Sequence, residues 1–72
     1  MRSLTAIKLI DINNADQAQL QLLPGIGPAL AGRIIDDRDE HGRFKTIEAL
    51  DRVPGIGPKT IDKVRDSVIV GD

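Results

Sequence analysis

The sequence of 72 residues contains no cysteine, tryptophan or tyrosine, and Phe44 is its only aromatic residue. Without cysteine, neither a disulfide nor a thiolate metal site can support the fold. The core must therefore be aliphatic, which suffices for one small domain. His41 is the single histidine, which excludes a histidine metal cluster or a catalytic triad. We predict that His41 ends a helix, where it interacts favourably with the helix dipole.

A strong charge of one sign and a long apolar run are also missing. The net charge is −1, whereas proteins that bind nucleic acid usually carry a basic excess. No apolar run approaches the roughly 18 residues of a membrane span, and the first residues lack the features of a signal peptide. We expect no membrane contact by this chain. It is expected in the cytoplasm if it is complete, and in the periplasm or at the cell surface if it was cut from an anchored protein.

One pentapeptide, PGIGP, occurs at residues 24–28 and again at residues 54–58. A shift of thirty residues also aligns Leu20 with Leu50 and Arg33 with Lys63. Self-similarity at a fixed spacing is typical of one supersecondary unit used twice.

The first helix of each unit is predicted to begin at a capping residue and to end before a proline. Asp16 is a good N-cap, and Gln19 completes a capping box. This helix covers about residues 16–22, because Pro24 pushes the preceding residue out of the helical region. In the second unit, Thr46 takes the capping position and Pro54 ends the helix.

The second helix of each unit is predicted to begin at the last proline of the pentapeptide, a residue suited to a first helical turn. From Pro28 it runs to His41 and Gly42, with an apolar stripe at helical spacing. The stripe consists of Leu30, Ala31, Ile34 and Ile35. Acidic residues fall largely on the opposite, solvated side: Asp36, Asp37, Asp39 and Glu40. From Pro58, the stripe is repeated by Ile61, Val64 and Val68.

These patterns predict an all-α fold, a compact domain of four to five short helices with pseudo-two-fold symmetry, in which each unit is a hairpin of two helices. Residues 1–11 form an N-terminal extended flank and residues 12–70 form the domain. Within it, hairpin one covers about 16–41, the linker 42–45 and hairpin two about 46–68. Phe44 is predicted to fill the core between the units. The β-branched segments AIKLIDI and SVIV are either short strands that pair or, at the C-terminus, an extension of the last helix.

The two glycine turns are the candidate functional feature. Gly25, Gly27, Gly55 and Gly57 are predicted to use positive φ angles and to allow close approach by another molecule. A valine at position 57 is therefore expected to damage folding and binding. The isoleucine between each pair of glycines is predicted to anchor the turn in the core. The first N–H groups of the following helix lack intrahelical partners, and such a group of donors suits a phosphate oxygen.

The stretch INNADQAQLQLLPGIGPALAGRIIDDRDEHGRFKTIEALDRVPGIGPKTIDKV resembles the tandem helix-hairpin-helix domain of the ComEA family of bacterial competence proteins. The resemblance includes INNAD, the PGIG hairpins, IIDDR and GRFKTIEAL. It implies sequence-independent binding of double-stranded DNA through main-chain amides that contact phosphates across the minor groove. It also implies a monovalent cation, Na⁺ or K⁺, against hairpin carbonyls. DNA uptake, repair and recombination all use this domain.

Carried over to this chain, the resemblance places DNA contacts in both hairpins. Those of the first are Gly25, Ile26, Gly27 and Ala29, with Arg33 alongside. Those of the second are Gly55, Ile56, Gly57, Lys59 and Thr60, with Lys63 alongside. The residue two past the second glycine is often basic in the family. Lys59 fits this pattern and Ala29 does not, so the second hairpin is expected to bind more strongly.

Two alternatives to DNA binding are compatible with parts of the sequence. VPGIGPKT also looks like the hairpin of base-excision DNA glycosylases, in which the lysine matching Lys59 is the nucleophile. That chemistry needs a pocket around a lysine of lowered pKa and a place for the extruded base, and we predict that the chain is not an enzyme. The other alternative is a protein-interaction module on the same scaffold. We expect a monomer that binds duplex DNA, with no small-molecule substrate and no metal or cofactor beyond the monovalent cation.

Overall fold

The computed structural model describes residues 9–71, which form short helices and two very short strands. The elements are β1 (Ile10–Asp11), α1 (Gln17–Leu20), α2 (Pro28–His41), a 3₁₀ helix (Ile47–Arg52), α3 (Pro58–Val64), a 3₁₀ turn (Arg65–Ser67) and β2 (Val68–Ile69). The predicted all-α fold is confirmed, since each strand has only two residues. Most of the predicted N-terminal flank, residues 1–8, lies outside the described residues.

The first helix of each unit begins at the predicted cap. The Asp16 carboxylate accepts the N–H of Gln19 at 2.8 Å, and the Gln19 side chain accepts the N–H of Asp16 at 3.1 Å. The Thr46 hydroxyl accepts the N–H of Ala49 at 3.2 Å. α1 is shorter than expected, with only four residues, and its counterpart is a tighter 3₁₀ helix of six residues. A 3₁₀ helix completes its turns with fewer residues than an α-helix, which suits a segment that a proline cuts short.

The second helix of each unit begins at proline, as predicted, but the two helices differ in length. Pro28 and Pro58 occupy the first turn of α2 and α3. α2 has 14 residues and ends at Gly42, whose φ is 86°. α3 has only seven residues and continues into the 3₁₀ turn and β2. The C-terminal segment is therefore a strand rather than a helix extension.

The two units share one core. α1 packs against α2, and the 3₁₀ helix Ile47–Arg52 packs against α3. Phe44 is completely buried, which confirms that it fills the core between the units. The other fully buried large side chains come from both units and the first flank: Ile12, Leu20, Ile34, Leu50, Val53 and Val64.

Asp37 corrects the prediction that the acids of α2 face solvent, since only 7% of it is exposed. Arg52 of the other unit donates from Nε to the Asp37 carboxylate and from Nη2 to the carbonyl of Gly42. The same guanidinium lies 4.4 Å from the centroid of the Phe44 ring. A buried carboxylate is tolerated where it is paired and hydrogen-bonded, so this ion pair joins the two units beside the core.

The flanks pair as parallel strands, with Ile10 opposite Val68 and Asp11 opposite Ile69. The Asp11 carboxylate accepts the N–H groups of Asn13 at 2.9 Å and Gly71 at 3.0 Å. The Asn13 side chain donates to the carbonyl of Gly71 at 2.8 Å.

Asn13 also reaches the linker between the units. Its side-chain nitrogen donates to the carbonyl of Phe44 at 2.9 Å, and its side-chain oxygen accepts the N–H of Phe44 at 2.7 Å. The hydrogen-bond network of Asp11 and Asn13 thus joins the first flank, the linker and the last residues.

Burial alone would raise the pKa of the Asp11 carboxyl, but its hydrogen bonds outweigh that effect. The Asn14 side chain and the N–H groups of Asn13 and Gly71 favour the ionised form and bring the pKa below its ordinary value. A carboxyl whose pKa is lower in the folded state stabilises the fold above its unfolded pKa. That stabilisation is lost as the pH falls through the folded pKa.

We expect Asp11→Asn to lower the free energy of unfolding at pH 7 by about 1–3 kcal/mol. An amide that keeps its oxygen towards the N–H groups of Asn13 and Gly71 turns its own nitrogen donor towards the side-chain donor of Asn14. The difference from the wild type should shrink as the pH falls below about 4 and Asp11 is protonated. Urea unfolding across this pH range measures both effects. A difference that stays constant with pH would show that the ionised form does not stabilise the network.

Candidate functional site

The two PGIGP turns have the same backbone conformation. Gly25 and Gly55 have φ angles of 82° and 95°, which favour glycine. Gly27 and Gly57 have φ angles of −96° and −121° with ψ near 180°, which any residue can adopt. The prediction of positive φ is therefore confirmed for the first glycine of each turn and wrong for the second. The second glycine is instead the N-cap of the following helix, where extended backbone is the rule.

Nothing within residues 9–71 requires glycine at positions 27 and 57. A Cβ atom added at either position would meet no atom of the described chain within 4 Å. Ser, Thr, Asn and Asp are generally better N-cap residues, because their side chains accept a backbone N–H. The fold would therefore accept a side chain at both positions, yet both are occupied by glycine.

The isoleucines of the turns point into the core, as predicted. Ile26 is 5% exposed and Ile56 is 4% exposed. Their N–H groups donate to the carbonyls of Leu23 at 3.1 Å and Val53 at 3.0 Å. Because both their side chains and their N–H groups are engaged inside the fold, Ile26 and Ile56 anchor the turns. Their contact with DNA stays a prediction.

The remaining N–H groups of the turns point to no acceptor in the described chain. Within residues 9–71, no hydrogen bond is made by the N–H groups of Gly25, Gly27, Ala29, Leu30, Gly55, Gly57, Lys59 and Thr60. The next amides, those of Ala31 and Ile61, close the first helical bonds to the carbonyls of Gly27 and Gly57, each at 3.0 Å. Each turn thus presents a small set of donors on a backbone that the core holds in place.

The basic residue of each unit lies beside the turn of the other unit. Arg33 donates from Nη1 to the carbonyl of Pro54 at 3.1 Å. A Cβ atom added at Gly55 would lie 2.9 Å from the same Nη1, and one added at Gly25 would lie 3.8 Å from Lys63 Cδ. The expectation that Arg33 lies alongside the first hairpin and Lys63 alongside the second is therefore wrong, and the structure exchanges them.

Most arginines of the described chain are occupied within the fold. Arg65 donates to the Glu48 carboxylate and lies 3.6 Å from Asp62. The hydrogen bond from Arg65 lowers the pKa of the Glu48 carboxyl. Arg38 donates to the carbonyl of Ile12 at 2.9 Å.

The lysines nearest the turns, unlike these arginines, are not engaged by acidic groups of the described chain. Lys59 and Lys63 are exposed and form no ion pair with the acidic groups of residues 9–71. Their ammonium groups are therefore available, next to the turns, for contact with an anionic partner.

The fit of metal ions to the site can be judged from its donors. Among residues 9–71, no group of three or more His, Asp or Glu side chains could hold a metal ion. The carbonyls of Leu23 and Val53 each accept one N–H in the turns, and a carbonyl oxygen retains a second lone pair. The monovalent cation that the family resemblance implies stays a prediction. No helix of the described residues has the length and apolar character to cross a membrane.

The chain belongs to the helix-hairpin-helix family, because the model of the helix-hairpin-helix motif matches residues 5–69. The resemblance to the ComEA competence proteins is confirmed by ComE operon protein 1 of Bacillus subtilis, which is 45% identical over 62 residues. That alignment covers 86% of this chain and 30% of the relative.

Similar sequences occur in other proteins. The human endonuclease/exonuclease/phosphatase family domain-containing protein 1 is 39% identical over 67 residues, which cover 89% of this chain and 12% of the relative. A Haemophilus influenzae protein is 41% identical over 61 residues, which cover 83% of this chain and 54% of that protein. The chain thus spans only part of each of these relatives.

The two glycines of one turn should respond oppositely to the same substitution. Gly55→Ser places a side chain at positive φ and should cost at least about 1–2 kcal/mol of unfolding free energy. Gly57→Ser should leave that free energy unchanged or raise it by a few tenths of a kcal/mol, because serine is a better cap. Urea unfolding of the two variants measures the difference. Equal destabilisation would mean that the backbone at Gly57 is not extended.

Proposed function

We propose that the chain binds double-stranded DNA through its phosphates, without reading the base sequence. The observation that carries this proposal is the absence of a side chain at Gly27 and Gly57, where the fold itself would accept one. A polar capping side chain there would accept an N–H group from the first turn of the following helix and so compete with a partner for it. Glycine at these positions keeps the donors open to a partner that must approach the backbone closely.

The chemistry of the donors favours an anion as that partner. Backbone N–H groups at the start of a helix, together with the dipole of the helix, stabilise negative charge. Lys59 and Lys63 add positive charge to the same surface, and neither is engaged by a carboxylate of residues 9–71. Contacts to phosphate carry no base information, so such a surface binds DNA of any sequence.

The occurrence of two sites favours duplex DNA over a single phosphate ligand. The turns repeat the same conformation at positions thirty residues apart, and one core holds both. Two donor sets at a fixed separation can contact the two strands of one duplex, as the resemblance to the ComEA family implies. DNA uptake is the process that this resemblance favours, with repair and recombination as the other settings.

A catalytic role is disfavoured by the position of Lys59. A lysine that forms a Schiff base needs a desolvated site that lowers its pKa, but Lys59 is exposed on the first turn of α3. An exposed ammonium group next to amide donors suits contact with a phosphate.

We expect fluorescent duplexes of unrelated sequence to bind with similar affinity, with a Kd of about 10⁻⁴ to 10⁻⁶ M at physiological salt. Because few cations are available, the log–log dependence of the association constant on salt should have a slope of only about −1 to −3. A fluorescence titration at several salt concentrations measures both quantities. A strong preference for one sequence would contradict the proposal, and no binding at low salt would favour a protein-interaction module instead.

The two hairpins offer a matched pair of substitutions at equivalent positions. Lys59→Ala should weaken binding and make the salt slope shallower by about 0.9, the value for one released counterion. Ala29→Lys should strengthen binding and make the slope steeper by a similar amount. Both side chains are exposed, so neither change should alter the free energy of unfolding. If the slope does not respond at either position, these residues do not face phosphates.

A further inference from the structure

The two hairpins differ in how their turns are held from the side. Arg33, from the first unit, donates to the carbonyl of Pro54 at 3.1 Å. Leu30 lies beside Arg33, since a Cβ atom added at Gly55 would be 2.9 Å from each of these side chains. The equivalent residue for the first turn is Lys63, which approaches Gly25 with its aliphatic stem. Within residues 9–71, Lys63 forms no hydrogen bond to the carbonyl of Pro24.

The bond from Arg33 orients an N–H group as well as the carbonyl that accepts it. Pro54 C=O and Gly55 N–H belong to the same peptide unit, which is planar and trans. In a trans peptide the C=O and the N–H point in opposite directions. Holding the oxygen of Pro54 towards Arg33 therefore holds the N–H of Gly55 away from Arg33, and this N–H has no acceptor within residues 9–71.

Glycine at position 55 makes such a contact necessary. A glycine residue loses more conformational freedom on folding than any other residue, so a glycine turn stays mobile unless something holds it. The side chain of Ile56 holds the turn from the core side. The Arg33 guanidinium holds it from the opposite unit.

We propose that Arg33 is a positioning residue that orients the Pro54–Gly55 peptide of the second hairpin for binding to a DNA phosphate. This inference rests on the proposed function, and it assigns Arg33 a role different from direct contact with DNA. Binding by the second hairpin then depends on a side chain of the first unit. Among residues 9–71, no side chain makes an equivalent hydrogen bond to the first hairpin, which adds to the difference between Lys59 and Ala29.

Arg33→Met tests this role, because methionine keeps an unbranched stem but removes both the charge and the donor. A lost hydrogen bond of this kind should weaken duplex binding about three- to tenfold. The salt slope should change by less than about 0.3, because no phosphate charge is neutralised by a positioning residue. Lys63→Met is the matched control and should make the slope shallower by about 0.9. A similar change of slope in Arg33→Met, or no loss of affinity, would overturn the proposal.

The hairpin through which Arg33 acts can be identified with double variants. Gly57→Ser should cap donors of the second turn and Gly27→Ser those of the first, because an N-cap serine accepts an N–H group of the first helical turn. The extended backbone at both positions accepts a side chain without strain. Arg33→Met should have little further effect in the Gly57→Ser background and its full effect in the Gly27→Ser background. The reverse pattern, or equal effects in both, would show that Arg33 does not act through the second hairpin.

A measurement without DNA separates this inference from the proposed function. In ¹⁵N relaxation of the free protein, Arg33→Met should lower the order parameter of Gly55 and leave that of Gly25 unchanged. The free energy of unfolding, measured in parallel, verifies that the variant is folded. If the wild type binds no DNA, the proposed function fails. Independently of that result, an unchanged Gly55 order parameter in Arg33→Met would show that Arg33 does not position this peptide.

Discussion

Burial of apolar surface between the two units is the interaction on which the rest of the structure depends. A chain of this size has a thin margin of stability, and α1 with only four residues cannot form a stable helix alone. Both units gain their stability from one core, in which Phe44 is fully buried. The turns share in that core through Ile26 and Ile56. The N–H groups that have no acceptor within residues 9–71 are therefore held in place before any partner arrives. Such preorganisation reduces the ordering cost of binding.

Local chemistry was sufficient to predict where the helices begin. Proline fixes its own φ angle and restricts the residue before it. Pro28 and Pro58 could therefore be placed at helix starts from the sequence alone. The cap at Asp16 follows from side-chain reach in the same way. The 3₁₀ form of Ile47–Arg52 did not follow, because α and 3₁₀ helices have similar residue preferences. The extended conformation of Gly57 was also missed. The sequence does not show whether a glycine in a turn is needed for a positive φ angle or for the absence of a side chain.

Contacts between the units were beyond prediction from one sequence. Periodicity orders residues within a helix, but it does not say which unit a side chain reaches. Arg33 therefore seemed to belong to its own hairpin, and Asp37 seemed to belong to a solvated face. The position that matches Asp37 in the second unit is Ser67, beyond the end of α3. The repeat is symmetric in its turns and asymmetric where the helices end, and the buried ion pair of Arg52 occurs on one side only.

The parallel pairing of β1 and β2 has a mechanical consequence. In a parallel pair, the chain preceding Ile10 and the chain following Ile69 leave at opposite ends of the ladder. Tension applied between these two segments therefore acts along the strands and loads their hydrogen bonds in shear. The bond from Ile12 to the carbonyl of Ile69, at 3.2 Å, and the bond from Gly71 to the Asp11 carboxylate, at 3.0 Å, would carry the load together rather than break in sequence. The pairing of β1 with β2 thus resists a force that pulls the two ends of the domain apart.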